Sequence, residues 1–192
     1  MRPPGRVIRE PLSWLLGVIA VSIAVLGFHP YPFTLVDAGL LIGVITGFLV
    51  HEFSHKVVAT RSGLKAGFVA DAYGIALTVV SGALPIKILA PGYVMITGPW
   101  YMERAFKKSV AAGPASNIMV SAVALIAGLL AGSGTPWRSL LISTSSINAW
   151  FALFNLIPVP PLDGSKILRG GQRLWVGLLS AALLLYIISN RA

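Results

Sequence analysis

Residues 38–59, AGLLIGVITGFLVHEFSHKVVA, form an apolar run that carries His51, Glu52 and His55 in its last third. About 20 apolar residues suffice for a helix to cross the hydrocarbon core of a bilayer. Ionisable side chains at that depth are costly and mark functional sites. The H-E-x-x-H spacing puts the two imidazoles one helical turn apart on one face, where both can ligate a single ion. Glu52 follows about 100° around the helix, which sets its carboxylate where it can take a proton from a water. The plainer reading of the three residues is a structural polar cluster between helices.

The remainder of the chain points to the same solvent. Of 192 residues, 56% are hydrophobic and only 11% charged, more apolar surface than a soluble domain of this length buries. Apolar runs predict an all-α polytopic membrane protein of about five transmembrane helices, at 12–28, 38–60, 113–131, 140–157 and 174–189. The first is read as a retained anchor, because its apolar core exceeds that of a secretory signal and no cleavage site follows.

Charge sets the expected orientation. With a cytoplasmic N-terminus, five crossings place Arg2, Arg6, Arg9, Lys56, Arg61, Lys65, Lys87, Arg104, Lys107, Lys108, Lys166, Arg169 and Arg173 inside, and only Arg138 and Arg191 outside. The net charge of +9 is therefore read as orientation signals and contacts with the lipid bilayer, and no nucleic-acid partner is expected.

Residues 64–98 are apolar but broken by glycine and proline. Their β-branched runs at 75–81 and 86–88 favour short strands. A small membrane-associated β-hairpin or sheet after the second helix is expected, its backbone groups paired as membrane depth demands. A re-entrant helix pair is the alternative.

The chain has no Cys, so a transition-metal site must be built from His29, His51, His55 and the carboxylates. A catalytic zinc usually takes three protein ligands and keeps one position open. His29 and Asp37 map to the side opposite the His pair. Asp163, in the stretch NLIPVPPLDG at 155–164, falls at the cytoplasmic end of the fourth helix and level with the pair. Asp71 is also inside, but in a loop, where a turn-capping carboxylate is the ordinary reading.

Three motifs in order, H-E-x-x-H at 51–55, G-P-x-x-N at 113–117 and N-x-x-P-x-P-x-x-D-G at 155–164, resemble the site-2 protease family of intramembrane zinc metalloproteases. The resemblance implies one Zn2+ held by His51, His55 and Asp163, Glu52 as catalytic base, and Asn155 holding substrate or the oxyanion. It implies a single transmembrane peptidase domain over residues 1–192, in a minimal form without a PDZ or CBS domain. It further implies a multi-pass protein of the cell membrane, cutting transmembrane substrates near the cytoplasmic side in regulated intramembrane proteolysis. For Asn117, packing of the helix bundle is as good a reading as a direct role, and it is kept out of the catalytic set. The rival is a non-catalytic membrane zinc-binding or transport protein, which would need the His pair but no base. Serine and aspartyl chemistry lack their residues: there is no G-x-S-x-G, and no second aspartate at the level of Asp163.

Overall fold

A computed structural model of the chain describes residues 10–27, 32, 34–85 and 87–192. Arg2, Arg6, Arg9, His29 and Ile86 lie outside the described residues. The elements in order are α1 Glu10–Leu26, α2 Leu35–Arg61, β1 Lys65–Ala70, α3 Ala72–Ser81, β2 Gly92–Thr97, α4 Glu103–Leu130, α5 Pro136–Leu156, α6 Asp163–Gly170 and α7 Gln172–Ser189. Among the described residues α2, α4, α5 and α7 are long and apolar enough to cross a membrane. The chain is a membrane protein built mainly of helices. The fifth expected crossing, α1, is apolar but has 17 residues, about 26 Å of helix.

The core is α2, α4 and α5, each packed on the other two. Gly39, Gly43 and Gly47 form a stripe on α2 that lets α5 approach so closely that a methyl at Gly43 would collide with the Ile147 side chain. Stripes of small residues are how helices pack without a hydrophobic drive between them. The facing helices send polar side chains onto carbonyls of the stripe. Thr144 Oγ1 donates to Gly39 O at 3.0 Å, Asn148 Nδ2 to Gly43 O at 3.1 Å and Asn117 Nδ2 to Gly47 O at 2.9 Å. α1 covers α2 and β1, contributing Val21 and Ala24 to a cluster with Val44, Phe48, Phe68 and Phe151. α7 packs Ala182 against Val110, Ala152 and Leu156.

Among its described residues, the stretch 64–98 holds the expected small sheet, with one helix, not a helix pair, between its strands. β1 and β2 pair antiparallel, with Phe68 opposite Val94. The strand expected over 75–81 is instead the helix α3. Asp71 caps it, accepting the Gly74 N–H at 2.7 Å, and the buried Thr78 hydroxyl takes the Ala90 N–H at 3.1 Å. A cap is worth about 1 kcal/mol, as much as the whole span of strand propensities, so local bonding overrode the β-branched run. Asp37 is employed likewise: with Thr34 it closes a capping box at the opposite end of α2 from the His pair.

The start of the next long helix also differs. α4 starts at Glu103, ten residues before the expected 113, and runs through Pro114, which is fully buried. Val110 and Ala111, also buried, extend its packed face ahead of the proline, and the Glu103–Lys107 pair at 2.6 Å supports its first turn. The helix α6 has no counterpart in the expectation.

Candidate metal centre

His51 and His55 project from α2, while Asp163 arrives by a different route from the one expected. α5 stops at Leu156, because Pro158, Pro160 and Pro161 lack the N–H that a continuing helix needs. The chain turns, with Leu162 N–H bonded to Val159 O at 3.0 Å, and Trp175 of α7 anchors the turn by donating to Leu156 O at 2.8 Å. Asp163 is then the first residue of α6 rather than the end of α5.

The structure brings the three side chains together, all of them buried. The Nε2 atoms of His51 and His55 are 3.0 Å apart, and Asp163 Oδ2 lies 3.3 Å from the first and 3.0 Å from the second. The other nitrogen of each ring faces an acceptor. His55 Nδ1 is 2.7 Å from Ser109 O, and His51 Nδ1 is 2.6 Å from Asn117 Oδ1. Asn117 is fixed in that orientation, since its Nδ2 donates to Gly47 O and to Asn148 Oδ1. Both Nδ1 atoms are thus committed to acceptors, which leaves the two Nε2 atoms facing each other and the carboxylate oxygen.

Three potential ligand atoms thus converge on one point, an arrangement that suits a cation. Zinc with tetrahedral ligands at 2.0–2.1 Å would space them roughly 3.3–3.4 Å apart, so the observed triangle needs only slight opening. Two imidazoles and a carboxylate are also a donor set that catalytic zinc takes. The residues present fit the ion.

Beside the triangle is a cavity of about 770 Å³, whose walls include Glu52, Tyr73, Phe106, Asn155 and Lys166 together with Val94 and Ile96 of β2. The Val94 backbone N–H reaches the Glu52 carboxylate. Asn155 lies in the wall, with one amide hydrogen donated to Phe151 O at 3.0 Å.

Reading the sequence missed three parts of this centre. Asn117 was set aside, although a buried amide on an apolar helix needs a partner, and that partner is His51. Ser109 acts through its backbone carbonyl and leaves no mark in the sequence. Gly113 sits so close that a Cβ there would strike His55 Nε2 and lie 2.7 Å from His51 Nε2.

Over 186 aligned residues, 94% of this chain and 95% of the relative, the sequence is 32% identical to the candidate zinc metalloprotease MJ0611 of Methanocaldococcus jannaschii. The chain belongs to the site-2 protease family. Like its relatives, this protease is a zinc metalloendopeptidase. It is 30% identical over 148 residues to the candidate zinc metalloprotease Rip3 of Mycobacterium tuberculosis, which covers 74% of this chain and 33% of Rip3. It is 24% identical over 164 residues to the zinc metalloprotease MJ0392 of Methanocaldococcus jannaschii, covering 85% of this chain and 43% of that protein. The site-2 protease described here thus spans nearly all of MJ0611 but under half of the other two. No family model matches the chain, and no solved structure matches it.

Proposed function

We propose that this protease hydrolyses peptide bonds of transmembrane proteins near the cytoplasmic side of the cell membrane, in regulated intramembrane proteolysis, with His51, His55 and Asp163 holding its zinc. The observation that carries the reading is the convergence of the three donors beside Glu52, in a cavity walled by helices of membrane-crossing length. A position near one face of the membrane is supported by α2, in which His55 is six residues, about 9 Å of helix, from Arg61 in the last turn.

Zinc supplies Lewis acidity, which acidifies water and polarises a peptide carbonyl. The chain's own residues do the rest. Glu52 accepts the proton of the attacking water and returns it to the leaving amine. Asn155 offers an amide hydrogen to the developing oxyanion, an effect of about 3 kcal/mol for one side-chain donor.

A transmembrane substrate must unwind before attack, and its freed backbone groups then need partners. The outer edge of β2 can provide them. In an antiparallel pair, positions alternate between facing the partner strand and facing away. Asp71 N–H bonds to Pro91 O at 3.0 Å, so that pair faces inward; Phe68, three positions earlier, faces outward and donates to Glu10 Oε1 at 3.2 Å. By the same alternation Val94 and Ile96, which both line the cavity, turn their N–H groups away from β1, and that of Val94 meets Glu52. Strand addition along this edge would hold the unwound segment. Ile96→Pro removes one outward N–H and no ladder bond, and is expected to slow cleavage of a transmembrane peptide by about tenfold, the worth of roughly 1.4 kcal/mol. Ile96→Ala is expected to cleave normally. Equal rates for the two variants would exclude the edge as a substrate cradle.

The test of the whole reading is cleavage of a model transmembrane peptide by the purified protein in proteoliposomes, with zinc measured alongside. One zinc per chain, loss of cleavage on chelation and recovery on adding zinc are expected. Cleavage that persists after the metal is stripped would overturn the assignment.

A further inference from the structure

We propose that Lys166 is a positioning residue of the metal centre, holding Asp163 so that Oδ2, and not Oδ1, is turned toward the imidazoles. The proposal rests on the reading of Asp163 as a zinc ligand. A carboxylate has two equivalent oxygens and a broad torsion about its last bond, so nothing intrinsic decides which oxygen meets the ion, or whether both do. Here the two oxygens are in different surroundings. Oδ2 lies 3.0 and 3.3 Å from the two Nε2 atoms, while Oδ1 lies 3.2 Å from Lys166 Nζ.

Lys166 stands one turn along α6, on the face shared by i and i+3. Its side chain is 39% exposed against 11% for Asp163, so the ammonium reaches in from the cavity wall to an otherwise enclosed carboxylate. Among the described residues it is the one hydrogen-bond donor to Oδ1. Turning the carboxylate toward a two-oxygen grip would break this charge-assisted bond. Removing the ammonium would leave Oδ1 enclosed without a donor, free to swing onto the ion or away from it. The Lys166 ammonium bonds to Asp163 and not to the proposed ligand rings or Glu52, so its influence runs through Asp163.

Groups that orient a ligand from behind change metal affinity by about 10- to 100-fold. In the full-length purified protein, Lys166→Gln is expected to lose zinc affinity within that range, measured by chelator competition, and to shift the visible absorption of the cobalt-substituted form. Lys166→Arg, which keeps the charge and the donors, is expected to restore both. Thermal melting of the metal-free Gln variant should stay close to wild type, because the Lys166 side chain itself is partly exposed. Unchanged zinc affinity and an unchanged cobalt spectrum in Lys166→Gln would overturn the proposal, and so would failure of Arg to restore them. Should wild type itself bind no zinc, the reading of Asp163 fails instead, which keeps the two failures apart.

Discussion

Glu52→Gln is expected to keep one zinc per chain and to slow cleavage of a transmembrane peptide by roughly a hundredfold to ten-thousandfold, the contribution of a positioned acid–base group. The reasons are geometric. Glu52 is not among the three side chains whose donor atoms converge, so losing its charge removes no proposed ligand. It lines the cavity next to them, and its carboxylate is met by the Val94 N–H, a bond that the Gln amide oxygen can still accept. The substitution is nearly isosteric, so α2 and the β2 edge should stay where they are. What disappears is the ability to take a proton from water at neutral pH, since an amide has no basic oxygen. Metal content by elemental analysis and single-turnover cleavage measure the two quantities separately. Full cleavage by Glu52→Gln would remove Glu52 from the chemistry. Loss of zinc would make the residue part of the metal cage.

The H-E-x-x-H half of this centre was legible in the sequence because its geometry is local: residues four apart on a helix share a face wherever the helix lies. Asp163 was legible as a residue but not as a structure. Its arrival depends on the proline-bounded end of α5, the turn anchored by Trp175 and the start of α6, none of which shows in hydrophobic periodicity. Asn117 and Ser109 reach the imidazoles across 66 and 54 residues of chain, and Ser109 does so through a backbone atom common to every residue type. The sheet was expected in the right stretch with its strands misplaced. Strand propensity is weak, and in 75–81 local bonds, the Asp71 cap and the Thr78 hydroxyl to Ala90 N–H, accompany a helix instead. Pro114 signals a helix start, where proline is most at home, whereas packing on both sides carries α4 past it.

Gly113→Ala is expected to abolish zinc binding at any concentration that saturates wild type, with cleavage falling below detection. A Cβ at this position in α4 would land on the Nε2 and Cε1 atoms of His55 and 2.7 Å from His51 Nε2. These are the atoms that converge on Asp163, so the added methyl occupies the place where the donors meet rather than packing around its edge. Neither ring can give way cheaply. His51 is held by Asn117 at 2.6 Å and His55 by the Ser109 carbonyl at 2.7 Å, and swinging either ring would break that bond and turn its Nε2 lone pair away. The damage to folding should be much smaller, about 1–3 kcal/mol for one overpacked methyl, so the protein is expected to remain assembled and measurable. Gly177→Ala is the matching control, a helical glycine of α7 with nothing within 4 Å of the added Cβ, and it should leave zinc and cleavage unchanged. Zinc affinity by chelator competition, read beside thermal melting, decides the matter. Wild-type affinity in Gly113→Ala would mean that the two imidazoles do not meet against α4, and that the site is built elsewhere.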